Sequence, residues 1–250
     1  MRSAVRNEPA ISMLDRSAML LLAFRSSGGA MTLAELCRAT GIPKTTAHRL
    51  VAELEKWGLL ERSGRRLRLG MRLFELGQLV PTQRDIGEIA APFLADLFEA
   101  TRETVHLAVR DRVEVVYVQK LARRGSPRVG SRVGGRMPMH CTGVGKAMLA
   151  FNSTALTDAV IAQGLTRLTP RTIIAPGLLR RDLARTRLRG FAVEREESTT
   201  GIVCVAGPII NAAGTAVAAI SMTGRVHQFS TLASTAAVRT AALGLSRALR

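Results

Sequence analysis

In the first third of the chain, apolar residues recur at three- and four-residue intervals. Leu33, Leu36 and Cys37 form one such stripe, and Ala47, Leu50, Val51 and Leu54 form the next. The spacing predicts two short amphipathic helices. Thr32 suits the N-cap of the first, and Glu35 three residues on completes a capping box. Gly41 stops that helix, because glycine tolerates the left-handed conformation of a helix C-terminus. Pro43 suits the first turn of the second, where its missing N–H costs nothing. Ser12 to Phe24 and Met71 to Val80 show the same helical period. Pro81-Thr82-Gln83 breaks it, and Ile86 to Thr101 resumes it behind Asp85. Between these helices, Leu59–Arg62 and Leu67–Leu69 flank Ser63-Gly64-Arg65-Arg66, the pattern of a tight hairpin.

The second half changes period. Thr104–Val109 and Glu114–Leu121 are β-rich around Asp111-Arg112, and Phe191–Glu194, Ile202–Ile210 and Ala216–Met222 predict further strands. Helical stretches fall at Gly145–Phe151, Ala155–Gln163, Gly177–Arg189 and Leu232–Leu249. Strands that arrive as hairpins, with helices between the groups, predict an α+β domain around an antiparallel sheet. The expected organisation is a flexible arm over 1–11, a helix-turn-helix domain with a wing over 12–70, a linker helix over 71–85 and a second domain over 86–250.

Charge gives the first domain its chemistry. On the second helix the inward stripe leaves Lys44, Thr45, Thr46, His48 and Arg49 available, and small hydrogen-bonders with cations suit a DNA major groove. Thr45 and Arg49 are expected at base edges, and Lys44 and Thr46 at phosphates. Arg65 and Arg66 at the hairpin tip are expected to lie along phosphates as a wing. The net charge of +17 favours an anionic partner. It is spread over both halves, +6 up to Val80 and +11 beyond. One Trp and one Tyr argue against a surface that stacks single-stranded bases. Double-stranded DNA is the expected partner.

Other motifs fail as catalytic or cofactor sites. Met139-His140-Cys141 invites a nucleophilic reading, but neighbours on an extended segment point opposite ways, so His140 is badly placed as a base for Cys141. His106 sits in an apolar alternating run and reads as a buried core histidine. Gly143-Val144-Gly145-Lys146 resembles part of a phosphate loop, yet His140 and Ala147 stand where that loop needs Gly and Ser or Thr. Arg123-Arg124 and Arg180-Arg181 read as solvated faces, and Glu196-Glu197 as a loop or strand-end acid pair that lacks the His or third carboxylate a metal would need. Cys37, Cys141 and Cys204 are far apart and form no metal or disulfide framework, which fits a reducing compartment. There is no signal-peptide pattern and no membrane-length apolar run. The expectation is a soluble cytoplasmic protein with no catalytic residue, metal or cofactor. An alternative, a small hydrolase-like enzyme fused to a winged helix, lacks a nucleophile–base pair.

The chain resembles the IclR family of transcriptional regulators over nearly its whole length. The resemblance rests on GIPKTTAHRLVAELEKWGLLER, ETVHLAV, MHCTGVGKAMLA, LTPRTI, LRGFAVEREE, GIVCVAGPI and AAISMTG, in the family's order. It implies an N-terminal winged helix-turn-helix, a linker helix and a GAF-like effector-binding domain, assembled as a dimer or dimer of dimers at promoters. By position, it implies effector contacts from Gly143 and Val144 in a loop, Ile202 and Cys204 on one strand, Ser221 and Thr223 on the next, and Glu194 near the ligand's polar end. Such a wall suits a compact carboxylate or phenolic metabolite. Two positions depart from the family. Val203 stands where many members have Arg, and Val144, bulkier than the common Ala, is expected to narrow the pocket.

Overall fold

Capping decides where the first helices begin. Ser12 accepts the N–H of Asp15 while the Asp15 carboxylate takes the N–H of Ser12, opening α1 (Met13–Ala23). Thr32 and Glu35 make the same reciprocal pair, at 3.2 and 2.7 Å, at the start of α2 (Leu33–Thr40). Gly41 ends α2 at φ +71°, a left-handed position that other residues rarely adopt. In α3 (Lys44–Lys56) Pro43 serves as the N-cap, one place earlier than expected. The hairpin forms as β2 (Leu60–Ser63) and β3 (Arg66–Leu69), and α4 covers Met71–Gln78. A strand that the periodicity does not reveal, β1 (Ala30–Thr32), pairs with β3 to give the order β1-β3-β2. Three residues are too few to show a period; the pairing holds β1 in place. Leu20, Leu36, Ala47, Leu50, Val51, Leu60 and Leu67 are buried together beneath these elements.

This is a computed structural model. It describes residues 11–127 and 129–249, with side chains at all of these except 26 and 81–85. The chain divides into two compact units between Val80 and Pro81. Almost all of the expected 1–11 arm lies outside the described residues. The expected 71–85 linker is divided: α4 belongs to the first unit, and α5 (Pro81–Thr101) starts in the second. The expected break holds, since α4 ends at Gln78, and the next helix, α5, opens at Pro81 and not behind Asp85.

The second unit is built on six strands: β4 (Thr104–Asp111), β5 (Glu114–Leu121), β6 (Arg136–Pro138), β7 (Ala192–Arg195), β8 (Ile202–Ile210) and β9 (Ala216–Arg225). Their order is β6-β5-β4-β9-β8-β7, with antiparallel neighbours throughout. The helices are α6 (Gly143–Ala150), α7 (Thr154–Gln163), α8 (Pro176–Arg189) and α9 (Thr231–Ala248). Alternation along each strand sorts the side chains between two layers. Val105, Leu107, Val203, Val205, Ile220 and Met222 face the α5 and α9 side. Ala108, Ala206 and Ala219 face the α6 and α8 side. None of the described helices is long and apolar enough to cross a membrane.

Candidate functional site

The outer face of α3 presents what the pattern predicts. Ala47, Leu50, Val51 and Leu54 are buried, and Lys44, Thr45, His48 and Arg49 are exposed. Thr46 is half-buried. The Arg49 guanidinium has only a weak contact, 3.9 Å to the Met13 sulfur, so it stays available to a groove. The hairpin tip divides its two arginines. Arg65 is exposed at the turn, with no ion-pair or hydrogen-bond partner among the described residues. Arg66 turns back. Its guanidinium donates to the Ala30 carbonyl at 2.7 Å and lies 3.7 Å from Glu35. The two tip arginines therefore differ in their surroundings, because pairing β3 with β1 places Arg66 over the start of α2. Arg62 is also engaged, by a two-pronged bond to Glu55 at 3.0 Å.

The second unit holds a narrow cavity on the α6 side of the sheet, with about 20 Å³ open to the centre of a water-sized sphere. Register assembles its floor: His106 lies opposite Ser221, Thr223 opposite Cys204, and Cys204 opposite Glu194. Ile202, two residues from Cys204, shares its face. Six of the seven residues expected from the resemblance, Gly143, Glu194, Ile202, Cys204, Ser221 and Thr223, line this one cavity. Val144 does not. It is 1% exposed and packs in the apolar cluster with α6 and α8, because one step along a helix turns a side chain by about 100°. Its extra bulk therefore fills core and does not narrow the pocket. Val203, where many family members have Arg, is buried on the opposite side of the sheet.

The tip of α6 reaches the cavity because residue 143 is glycine. A Cβ there would lie 2.7 Å from the Cys204 sulfur. Thr142 caps the helix by accepting the Gly145 N–H at 3.3 Å, and the Lys146 N–H bonds to the Thr142 carbonyl. The N–H groups of Gly143 and Val144 remain at the open end, where a helix leaves donors without intrahelical partners and favours negative charge.

Glu194 is 1% exposed and lies beside Cys204, next to the α6 tip. Burial pushes its carboxyl up to about 7, against the pull of N–H groups of Glu197 and Ser198, both of which donate to Oε1. That bonding answers how an acid sits beside the cavity: one oxygen is spent on its own loop. The loop is held in turn by Thr169 and Thr172, whose hydroxyls donate to the Glu196 and Glu197 carbonyls at 2.6 and 2.7 Å. Lys146, from the fragment that resembled a phosphate loop, is buried. Its ammonium binds Glu197 at 2.6 Å, Asp182 at 2.9 Å and the Val193 carbonyl at 2.9 Å. Burial works against its charge, but the two carboxylates outweigh it and raise its pKa. The lysine ties α6, α8 and the loop after β7 together. Glu197, in the loop just after β7, is thus a buried ion-pair partner.

His106, expected as a core histidine, is buried and hydrogen-bonded but also lines the cavity. Tyr117, Val129, Gly130, Ser131, Met137, Thr142, Ser198 and Thr199 complete the wall. The solitary polar residue in an apolar run was the signal for His106. The loop residues carried no comparable signal. His140 and Cys141 form no catalytic pair: His140 bonds to the Thr166 carbonyl, and burial pushes the Cys141 thiol up to about 12. Among the described residues, no group of three or more His, Cys, Asp or Glu side chains gathers as a metal site.

Comparisons with known proteins agree with this architecture. Residues 13–64 match the IclR helix-turn-helix domain, and residues 78–247 match the bacterial transcriptional regulator IclR C-terminal family. The chain is 32% identical over 247 residues to the HTH-type transcriptional regulator XynR of Escherichia coli, covering 96% of this chain and 98% of that one. It is 32% identical over 235 residues to the transcriptional repressor IclR of the same organism, covering 91% and 86%. Among solved structures, an IclR homolog from Microbacterium hydrocarbonoxydans complexed with 4-hydroxybenzoate superposes with a TM-score of 0.87 at 30% identity, covering 96% of this chain and 99% of that one. The Thermotoga maritima IclR gives 0.77 at 31% identity, covering 94% and 98%. The winged head, the six-stranded domain with its cavity under α6, and these matches together place the chain in the IclR family of bacterial transcriptional regulators.

Proposed function

We propose that this regulator reads its operator with α3 and the Arg65 wing, and that a small anionic or phenolic metabolite in the α6 cavity sets its operator affinity. The observation that carries the effector reading is the convergence of Gly143, Glu194, Ile202, Cys204, Ser221 and Thr223, from four elements, on one cavity. Helix-tip amides, two hydroxyls and apolar neighbours suit a compact acid, since buried acceptors left unpaired are costly. The 4-hydroxybenzoate complex of the similar Microbacterium protein supports that class. Thr45 and Arg49 read bases, Lys44 and Thr46 hold phosphates, and His48 lies beside them. The protein works in the cytoplasm without a cofactor and as a regulator only, its buried thiols held protonated.

A second copy is the natural partner of the first unit. Leu14 is 79% exposed, Leu79 71% and Phe74 61%, large apolar side chains that a second copy would cover. A dimer, or a dimer of dimers, covers them and matches a repeated operator. Phe74→Glu with Leu79→Glu is expected to lower the sedimenting mass and the operator affinity together.

The central test is a footprint on the DNA flanking the gene, titrated with small carboxylates and phenols. One of them is expected to release or strengthen the complex. Ser221→Leu with Thr223→Leu is expected to abolish that response and leave effector-free DNA binding intact. A response that survives the double substitution places the effector elsewhere.

A further inference from the structure

The cavity under α6 is smaller than any metabolite it is read to receive. One water takes about 10–15 Å³ of space measured at sphere centres, so about 20 Å³ holds one or two waters. An organic effector therefore needs a wall to give way. Interiors are close-packed and open locally, so the wall that moves is the one with the fewest ties.

Three walls are tied down from several sides. The floor is made of the hydrogen-bonded strands β5, β4, β9 and β8. The α6 tip is anchored by Lys146 to α8 and to the loop after β7. That loop is closed on itself as well as held by Thr169 and Thr172. The Glu196 N–H bonds to the Ile202 carbonyl at 2.7 Å, and the Gly201 N–H to Glu196 Oε1 at 2.9 Å.

The fourth wall is different. Val129, Gly130 and Ser131 lie in the connection from β5 to β6, outside any helix or strand. Among the described residues, the hydrogen bonds from this stretch to the sheet run through Ser131. Lys120 on β5 donates to the Ser131 carbonyl at 2.7 Å. The Ser131 hydroxyl lies 2.7 Å from His106 Nε2, a hydrogen bond whichever atom donates. Packing at Gly130 is loose: a Cβ there would meet only the flexible end of Met137, at 3.7 Å. Gly134, at φ +73°, makes the turn at the far end, with its N–H on the Tyr117 carbonyl at 2.8 Å. Parting two side-chain contacts frees what lies before that turn.

We propose that residues 129–133 are the gate of the cavity, latched by Ser131 onto Lys120 and His106, and that an effector enters where this latch opens. This rests on the reading above that the cavity takes the effector. Lys120 does not line the cavity. It is a positioning residue that sets how often the gate opens without touching the ligand.

Cys204 reports the opening without any ligand. It lines the cavity, whereas Cys141 is buried outside it. Burial pushes both thiols up to about 12, so neither reacts until it is exposed. The full-length protein is alkylated with iodoacetamide, and each cysteine is followed by peptide mass spectrometry. Lys120→Met is expected to raise the Cys204 rate by about tenfold or more, the effect of losing one hydrogen bond from a charged group on a local opening, with the Cys141 rate unchanged. Lys120→Arg, which keeps a charged donor, is expected to stay near the wild-type rate. Ser131→Ala, which cuts only the bond to His106, is expected to fall between, and it carries the test if Lys120→Met does not fold. A Cys204 rate that stays at the wild-type value overturns the gate, because another wall then moves. A Cys141 rate that rises in step overturns it too, because the whole domain has then loosened. No effector takes part, so either failure leaves the pocket reading standing. An effector response that survives Ser221→Leu with Thr223→Leu removes the pocket reading instead, and with it the gate's role in effector entry.

Discussion

The two units bury different things. Among the described residues up to Val80, every buried side chain is apolar, whereas the second unit buries Lys146, Glu194, Glu197, His106 and a series of Ser and Thr hydroxyls. A small unit with an oily core keeps its polar chemistry outside, on the exposed face of α3 and at the wing tip. A larger unit with buried polar groups has to satisfy each of them, and the ones it arranges around a cavity mark where a ligand enters. Surface chemistry and enclosed chemistry therefore respond differently to the same kind of substitution.

The sharpest break in this comparison is Lys146→Ala. Removing the ammonium leaves Glu197 buried without its partner, and loss of one member of a buried ion pair typically costs about 3–5 kcal/mol. Urea unfolding of the full chain is expected to show that loss in the second unit, whereas Lys44→Ala on the exposed face leaves stability unchanged. Stability that is unchanged in Lys146→Ala removes the distinction between the units.

Next in size is Arg49→Ala. Losing one good base contact costs about 1–3 kcal/mol of discrimination, so operator binding is expected to fall far more than binding to random DNA. Equal losses on both DNAs, in a gel-shift comparison, make Arg49 a backbone contact.

Glu194 gives a smaller, pH-dependent effect. Its carboxyl keeps its proton up to about 7 when folded, against 4.5 ordinarily, so the folded state binds the extra proton between those values. Stability therefore falls as pH rises from about 4.5 to about 7. Above about 7 the ionised carboxylate repels an anionic effector. Affinity for a benzoate-type acid is expected to fall between pH 6 and pH 8, by at most about tenfold per unit for one proton. Glu194→Gln is expected to flatten both profiles, and a persisting slope in calorimetry assigns the effect to another group.

The smallest effect is on the wing. Arg65→Ala is expected to reduce the slope of log affinity against log salt by about 0.9, the share of one phosphate contact, with sequence preference kept. Arg66→Ala is expected to change that slope less and to loosen the exposed Arg66–Glu35 contact, which is worth about 1 kcal/mol or less. Equal slope changes make the two arginines equivalent phosphate contacts.

Legibility followed the range of the contacts. Thr32 with Glu35, Gly41, and the inward Ala47, Leu50, Val51 and Leu54 are all explained by residues within a few positions, so periodicity and caps alone determined α2, α3 and the outward face of α3. The resemblance supplied the pocket residues by position, and six of the seven converge, but no local pattern connects Glu194 to Ser221 or Gly143 to Cys204. Only the sheet register and the approach of α6 to β8 bring them together. The same limit explains the errors. The Val144 side chain, expected in the apolar wall, turns into the core one helical step from Gly143, while its N–H stays at the open end of α6. Arg66 looks like Arg65 until β1, a three-residue strand, pairs beside it. His106 reads as core until its opposite residue, Ser221, and the 129–131 loop are in place. The sequence by itself determined most of the elements, their order and the outward face of α3, because those depend on neighbours along the chain; the three-residue strands β1 and β6 exist only through their pairing. Tertiary structure decided which polar groups are buried and which of them are paired, because those depend on strands and loops that meet only in the fold.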